Sequence, residues 1–310
     1  MSKPFGEPAF MKQSAGGGKL RGPADDAGPA AAGGRSAAAG PACESGRPRG
    51  ACPAAEAELE EALGMALDRG QFVLEYQPQL EIASGRIVGA EALIRWHWPG
   101  RGVVMPGEFI PLAERSGRIA EIGRWVIRAA CGQIREWRRA GIGNLRVAVN
   151  VSAVQLFQGD IVDTVASALA DSGLDGSSLE LEITESVMVD PQRAVPALER
   201  LRSLGVPVAI DDFGTGYSSL QYLKNMPIDS LKIDRSFIRN LLDDAQDQAI
   251  VMAIATMARR LGLRLIAEGV ETSDQLTFLR ALGCDVIQGY YVSRPLPAER
   301  LAELLRRGGA

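Results

Sequence analysis

Short apolar segments alternate with amphipathic segments along the second half of this 310-residue chain. Residues 145–151 form the apolar run of a buried strand, and residues 161–171 have the apolar spacing of a helix. The pair recurs, with strands predicted at 179–183, 206–210, 230–233, 263–267 and 285–288 and helices at 194–204, 218–225, 246–261, 273–282 and 297–306. Such alternation is typical of a parallel sheet covered by helices, so it indicates the α/β class.

The first two predicted strands differ from the others in how they are connected. Residues 72–77 and 86–94 are strand-like, and the turn Ala83-Ser84-Gly85 between them is too short for a parallel crossover. Helices are predicted at 57–69, 111–114 and 119–139. The number of units predicts a modified (βα)8 TIM-like barrel whose first strand is antiparallel. An open doubly wound sheet is the alternative, although no dinucleotide-type glycine fingerprint follows an early strand.

Residues 1–54 have a different composition from the rest of the chain. Thirty-one of these 54 residues are Gly, Ala or Pro, and Leu20 is the only Leu, Ile or Val among them. Such a segment buries too little apolar surface to offset its ordering entropy. We therefore expect a disordered Gly/Ala/Pro-rich tail over 1–54 and one folded domain over 55–310.

Composition argues against several classes of function. A net charge of −4 gives no basis for binding a nucleic-acid polymer. We expect no membrane span and no signal peptide, because no apolar run is long enough for either. Cys131 and Cys284 lie in apolar segments, as reduced cysteines of a cytoplasmic protein would. The single histidine, His97, argues against zinc hydrolases and histidine-based triads.

Polar side chains follow or end almost every predicted strand. The most conspicuous pair is Asp211-Asp212, which ends an apolar run and precedes a glycine-bracketed loop. The others are Glu91, Arg95, Asn150, Glu182, Glu185, Lys232, Asp234, Glu268, Glu271 and Gln288. In a barrel the carboxyl ends of the strands converge on one mouth, so these side chains are expected to share a cavity. The alternatives are a solvated Asp-Asp turn and ion pairs that close the barrel rim.

The residue types indicate a metal site with oxygen ligands. Carboxylates and an amide, without Cys or His, suit Mg²⁺ or Mn²⁺, and enough carboxylates are present for two ions. Two ions would clamp the attacking and leaving oxygens of a phosphoryl displacement, with Asp211 shared between them and Asp212 on the second. Lys232 could hold or deprotonate the attacking water, and Arg95 could hold a substrate phosphate.

These residues lie in seven ordered blocks that resemble the EAL-domain family, the cyclic di-GMP phosphodiesterases. The blocks are Glu91-Ala92-Leu93 with Arg95-Trp96, Asn150-Val151-Ser152, Glu182-Ile183-Thr184-Glu185-Ser186, the loop at 211–220, Leu231-Lys232-Ile233-Asp234, Ala267-Glu268-Gly269-Val270-Glu271 and Gln288-Gly289-Tyr290. The resemblance runs from about residue 56 to 306. It implies a modified barrel that hydrolyses cyclic di-GMP to linear 5′-pGpG by two-metal-ion activation of water.

The resemblance also implies a role for each site residue. Two Mg²⁺ or Mn²⁺ ions would be held by Glu91, Asn150, Glu182, Asp211, Asp212 and Glu268. Lys232 matches the residue that orients water, with Glu271 in support and Glu185 steadying the loop after Asp212. Substrate contacts fall to Gln77 (in Tyr76-Gln77-Pro78), Arg95, Asp234 and Gln288. The loop at 213–219 is linked in the family to dimerisation, so a homodimer is expected, and a separate sensor or regulator protein is possible.

Two other functions remain open at this point. A catalytically silent receptor would bind cyclic di-GMP without cutting it, but such members usually lose metal ligands or the loop, and this chain has lost neither. A barrel glycosidase with paired carboxylates would not need Asn150, Lys232 and Arg95 at the same mouth.

Overall fold

The structure is a computed structural model that describes residues 53–158, 160–216 and 220–308. Residues 1–52, which make up nearly all of the predicted tail, lie outside the described residues, so the disordered tail stays a prediction. Residues 217–219 of the glycine loop also lie outside them.

Strands and helices alternate along the described chain as the apolar pattern predicts. The strands are Phe72–Glu81 (β1), Ile87–Trp98 (β2), Gly102–Val104 (β3), Arg146–Val151 (β4), Leu179–Thr184 (β5), Val208–Phe213 (β6), Ser230–Ile233 (β7), Arg264–Ala267 (β8) and Val286–Gln288 (β9). The helices are Pro53–Ala66 (α1), Pro106–Arg115 (α2), Ile119–Arg139 (α3), Ala153–Gln158 (α4), Ile161–Ser172 (α5), Pro191–Ser203 (α6), Leu220–Leu223 (α7), Arg235–Arg239 (α8), Ala245–Leu261 (α9), Ser273–Ala281 (α10) and Ala298–Gly308 (α11).

Eight of the strands close into a barrel, which confirms the predicted fold class. β2, β4, β5, β6, β7, β8 and β9 pair in parallel in that order, and β1 joins the two ends of this sheet. β1 is antiparallel to both of its neighbours, with Gln77 opposite Glu91 on β2 and Leu80 opposite Ile287 on β9. β3 pairs with the far end of β2 as a short hairpin outside the closed ring. The turn at 83–85 therefore has the consequence expected from its length: it reverses the first strand.

The apolar faces predicted from periodicity form the core. α3 has the bounds predicted for it and buries Ile122, Ile127 and Ile134 along one face. The parallel strands are buried on both sides, since helices cover the outer face of the barrel and the inner face is filled by side chains. Free Cys131 and Cys284 are both buried, and burial raises the pKa of the Cys131 thiol to about 11.

The structure departs from the predicted elements mainly at short ones. β3, α4 and α8 were not predicted, because segments of three to six residues contain too few apolar positions to show a period. α2 begins at Pro106, five residues before the predicted start. Proline suits the first helical position, and the Glu108 side chain accepts a hydrogen bond from the Met105 backbone N–H at 3.2 Å.

Across the described ranges, none of the helices combines the length and the apolar character that a membrane crossing requires.

We expect Gly176→Ala to destabilise the fold and Gly143→Ala, its control, to leave it unchanged. A methyl group at Gly176 would lie 2.1 Å from the Leu204 carbonyl oxygen, which is a backbone atom that cannot move aside cheaply, whereas nothing lies within 4 Å at Gly143. The expected loss is about 2 kcal/mol, the usual cost of overpacking. Thermal unfolding of the two variants measures it, and equal melting temperatures would contradict the close backbone approach.

Candidate active site

A cavity of about 1130 Å³ opens at the carboxyl ends of the parallel strands. Its lining includes nine of the predicted site residues: Gln77, Glu91, Arg95, Asp211, Asp212, Asp234, Glu268, Glu271 and Gln288. A second cavity, of about 540 Å³, lies at the opposite end of the barrel between the start of β2 and α11, and no carboxylate lines it. The barrel mouth therefore brings these nine side chains to one cavity, as the strand ends predict.

Lys232 lies beneath the mouth, inside a ring of four carboxylates. Its side chain, which projects from β7, is fully buried. The Lys232 Nζ atom lies 2.6 Å from Glu268 Oε1, 2.7 Å from Glu182 Oε2, 3.1 Å from Asp211 Oδ1 and 3.8 Å from Glu91 Oε2. Four strands thus supply anions to one cation, which is possible only because neighbouring parallel strands end side by side.

The surrounding carboxylates keep the Lys232 ammonium charged. Burial alone would lower the pKa of Lys232, but Asp211, Glu182 and Glu268 outweigh burial and hold that pKa well above its usual value. Burial would likewise raise the pKa of Glu91, but Lys232 and the hydrogen bonds from Gln288 and Asn150 lower it.

One ammonium does not neutralise the whole ring. Burial, followed by Coulomb repulsion from neighbouring carboxylates, raises the pKa of Glu182 well above its usual value and that of Glu268 to about 8, although Lys232 opposes both shifts. The Glu182 Oε1 atom is buried and accepts no hydrogen bond from any described residue. Buried carboxylates in excess of their counter-ions, with an oxygen lacking a partner, are what a site for additional cations requires.

Amide side chains hold the Glu91 carboxylate in place. Asn150 Nδ2 donates to Glu91 Oε1 at 2.6 Å, and Gln288 Nε2 donates to Glu91 Oε2 at 2.5 Å. Gln288 also donates to Gln77 Oε1 at 3.1 Å and accepts from Gln79 Nε2 at 3.1 Å. The chain of hydrogen bonds joins β1, β2, β4 and β9 and fixes the orientation of an oxygen pair that faces Lys232.

The carboxylates form two groups with metal-ligand spacing. Glu91, Glu182 and Asp211 each place an oxygen within 4.8 Å of the others, and so do Asp211, Asp212 and Glu268. Asp211 belongs to both groups, which is the arrangement that a ligand shared by two ions needs. The donor set is entirely oxygen, so it fits Mg²⁺ or Mn²⁺ and not a thiolate- or imidazole-preferring metal.

The backbone at Asp212 brings two consecutive carboxylates to one cavity. Successive residues of a regular strand point to opposite faces of the sheet. Asp212 has φ 52°, the only positive φ of a non-glycine residue among those described, and the pairing of β6 with β7 is irregular between Ile210 and Phe213. Its N–H donates to Asp211 Oδ1 at 2.9 Å. Because alternation is broken here, both side chains line the mouth.

Asp212 and Asp234 form a carboxyl pair at the outer part of the cavity. Burial, together with repulsion from Asp211 and Asp234, raises the pKa of Asp212 from its ordinary value of 3.8 to about 6. The pKa of Asp234 is lowered instead, because hydrogen bonds from Ser236 and from Asp212 outweigh its partial burial. Asp234 also caps α8 by accepting from the Ser236 N–H at 3.0 Å.

Three of the predicted residues lie toward the edge of this arrangement. Glu185 is not among the cavity-lining residues; its Oε2 atom accepts from the Gly214 and Gly216 N–H groups at 3.1 and 3.2 Å, as a residue that steadies the loop would. Arg95 lines the cavity and donates from Nε to Glu75 Oε2 at 2.9 Å. Glu271 lines the cavity with an exposed side chain.

Sequence reasoning missed several residues of the site. Gln79 and Glu75 were not predicted, although they share a strand face with Gln77 at intervals of two residues, which is a signal that could have found them. Arg235 and Arg239, which were also not predicted, line the mouth together with Tyr290 of the block 288–290. The two arginines lie on the short helix α8, which the apolar pattern did not reveal.

Comparisons with known proteins agree with this geometry. The family model of the EAL domain matches residues 58–295. The bifunctional diguanylate cyclase/cyclic di-GMP phosphodiesterase MucR of Pseudomonas aeruginosa is 48% identical over 247 residues, which cover 79% of this chain and 36% of that protein. The cyclic di-GMP phosphodiesterase NbdA of the same organism is 48% identical over 252 residues, which cover 81% of this chain and 32% of that protein. The chain thus spans about a third of the length of these curated relatives.

A solved structure has the same barrel. The PaMucR phosphodiesterase in complex with c-di-GMP superposes with a TM-score of 0.76 at 48% identity, and the match covers 79% of this chain and 99% of that one. A family match over most of the described residues, a relative of this identity and a shared fold all point the same way. The chain belongs to the EAL-domain family.

Proposed function

We propose that this chain is a metal-dependent phosphodiesterase that hydrolyses cyclic di-GMP to linear 5′-pGpG. The observation that carries the proposal is the pair of carboxylate groups that share Asp211 beside the buried Lys232 ammonium. The names of MucR and NbdA, and the c-di-GMP complex of PaMucR, support the same substrate.

The residues present fit two Mg²⁺ or Mn²⁺ ions. Glu91, Asn150, Glu182 and Asp211 would hold one ion, and Asp211, Asp212 and Glu268 would hold the other. The Glu182 Oε1 atom, which lacks a hydrogen-bond donor among the described residues, is a free ligand oxygen for the first site. When bound, such ions supply Lewis-acid activation of water and offset the charge that develops on the phosphodiester.

The chain's own groups orient the reactants. Lys232 is held by carboxylates on several sides, so its ammonium can donate a hydrogen bond to the attacking water at a fixed place in the site. Arg95 lies at the mouth, where it can hold a phosphate oxygen of the substrate. In the reaction water forms a new P–O bond, one P–O3′ bond breaks, and the leaving 3′-oxygen takes a proton, so that the product keeps its 5′-phosphate.

The alternatives fit the site less well. A silent receptor has no use for Lys232 and a full set of ligands, yet the fully buried Lys232 lies within 4 Å of four carboxylates. A glycosidase needs one pair of carboxyl groups, and this cavity contains two linked groups.

The remaining parts of the proposal concern partners and location. The Glu185 carboxylate accepts hydrogen bonds from the backbone of the loop after Asp212. A second copy that contacts this loop would therefore shift the backbone beside Asp212, a proposed metal ligand. A homodimer, a separate sensor or regulator and a cytoplasmic location all stay predictions from the sequence.

The purified chain should convert cyclic di-GMP to linear pGpG in the presence of Mg²⁺ or Mn²⁺, and a chelator should abolish the reaction. Separation of the nucleotides on a column measures both. Binding of cyclic di-GMP without product would support the receptor function instead, and turnover that survives the chelator would contradict the metal sites.

At saturating Mg²⁺, where bound ions would hold the carboxylates together, Lys232→Met should lower kcat by about a thousandfold and change KM by less than about threefold, because the ammonium acts on the water and not on the bound substrate. Lys224→Met, at an exposed lysine, is the matched control and should retain full activity. Steady-state kinetics measures both parameters, and equal losses in kcat and KM would argue against water positioning.

Asp212→Asn should stabilise the metal-free protein increasingly as pH rises from about 4 to 7. The wild-type carboxyl has a folded-state pKa of about 6 against an ordinary value of 3.8. Between these values the folded state binds more protons than the unfolded state, so the wild type loses stability as pH rises, and the amide does not. Melting temperatures in a chelator measure the difference.

Asp243→Asn, at an exposed position outside the cavity lining, is the control and should show no such trend. Added Mg²⁺ should reverse the order by stabilising the wild type more. If the difference in melting temperature between Asp212→Asn and wild type stays constant with pH, the surroundings of Asp212 do not raise the pKa of its carboxyl group.

A further inference from the structure

Two hydrogen bonds within the chain hold the Arg95 side chain in place. Its side chain is only 9% exposed. The Nε atom donates to Glu75 Oε2 at 2.9 Å, and Nη1 donates to the Ile94 carbonyl oxygen at 3.0 Å. Glu75 lies on β1 and is not among the residues that line the cavity, whereas Arg95 is.

The strand register explains how the two side chains meet. In the β1–β2 pair Val73 lies opposite Arg95, and Glu75 lies opposite Leu93. Opposed residues of an antiparallel pair share a face of the sheet, so Glu75 and Arg95 are diagonal neighbours on the face that carries Gln77 and Glu91. A residue at position 75 can therefore reach Arg95 without entering the cavity.

The two hydrogen bonds leave a defined part of the guanidinium free. An arginine side chain has five N–H groups in a rigid plane. One of them, on Nε, is taken by Glu75, and one on Nη1 is taken by the Ile94 carbonyl group. The N–H groups that remain are the two of Nη2 and the second one of Nη1, and one from each of these nitrogens forms the end-on edge of the fork. This edge matches two oxygens of a phosphate.

The charge of the cavity makes such an anchor necessary. The mouth carries more carboxylates than cations, and Glu91 lies four residues from Arg95 on the same strand face. A guanidinium without a partner would be drawn toward these carboxylates and would compete with the ions that belong there. Glu75, which lies opposite Leu93, supplies an opposite charge in direct contact with Arg95, so the guanidinium has a partner outside the ligand cluster.

We propose that Glu75 is a positioning residue for substrate binding. It holds Arg95 so that the end-on edge of the guanidinium meets a phosphate of the cyclic dinucleotide. This inference rests on the proposed function. Because the Glu75–Arg95 pair is neutral as a unit, Arg95 contributes directed hydrogen bonds to the phosphate more than net positive charge.

The test compares two substitutions at Glu75. Glu75→Ala removes the acceptor and should raise KM for cyclic di-GMP by about tenfold with kcat within about twofold, the effect of one misplaced charge-assisted hydrogen bond. Glu75→Gln keeps an acceptor oxygen at the same distance and should restore KM to within about twofold of wild type. If both variants lower KM, Glu75 merely weakens the charge of Arg95 and the proposal is wrong. Unchanged KM in both variants overturns it as well.

Two controls separate positioning from folding. Glu81→Ala is matched, because Glu81 lies on the same strand, is 37% exposed against 33% for Glu75, and pairs with Arg264 at the opposite end of the barrel; its KM should equal that of wild type. In an Arg95→Ala background, Glu75→Ala should have no further effect on KM. Additive losses in this double-mutant cycle would show that Glu75 acts independently of Arg95.

Wild-type turnover tests the proposed function, and the Glu75 variants test the positioning role. Wild type that yields no pGpG contradicts hydrolysis, whereas active wild type with an unaltered Glu75→Ala variant contradicts only the positioning role. The Kd for cyclic di-GMP, measured by calorimetry on the same proteins, gives the same comparison in the absence of turnover: a tenfold rise for Ala and none for Gln supports positioning, and any other pattern overturns it.

Discussion

The arrangement of the mouth depends on the Lys232 ammonium. Four carboxylates from β2, β5, β6 and the end of β8 would repel one another strongly at the distances seen here. A cation within 2.6 to 3.8 Å of all four allows them to converge. The ammonium is held from several sides and cannot follow any one carboxylate outward. Its position defines where the other oxygens of Glu182, Asp211 and Glu268 remain available to further cations.

Both charged and neutral side chains orient the carboxylates at the mouth. Charged contacts surround Lys232, and neutral amides surround Glu91, which receives hydrogen bonds from Asn150 and Gln288. Gln288 on β9 also bonds to Gln77 and Gln79 on β1, so its amide joins the antiparallel strand to both of its neighbours, β9 and β2. The single reversed strand therefore contributes to the mouth as well as to closure: in the register it adopts, its inward residues hold Gln288, which donates to Glu91 on β2.

Much of this arrangement follows from the sequence, because it depends on local spacing. The three-residue turn at 83–85 determines the direction of β1, and the strand ends determine which side chains meet. What escaped prediction depends on tertiary structure. The approach of Glu75 to Arg95 depends on the register of two strands, which composition and periodicity do not specify. The helix α8 is too short for periodicity to reveal, so Arg235 and Arg239 at the mouth were missed. The left-handed backbone of Asp212 lies where the β6–β7 pairing is irregular, and neither the Asp-Asp pair nor its apolar neighbours specify that irregularity.

The positive φ of Asp212 restricts which amino acids fit this position. An L-amino acid in the left-handed region has its Cβ close to the backbone, at a cost of about 1 kcal/mol. A D-amino acid would adopt the φ of 52° seen at Asp212 without this cost. Glycine would also relax there, but it has no carboxylate, and asparagine tolerates the conformation with only one oxygen in its side chain. Among the encoded amino acids, aspartate alone combines tolerance of this backbone with a short anionic side chain. Any substitution of Asp212 by another encoded residue therefore either removes the anionic group or raises the cost of this backbone conformation.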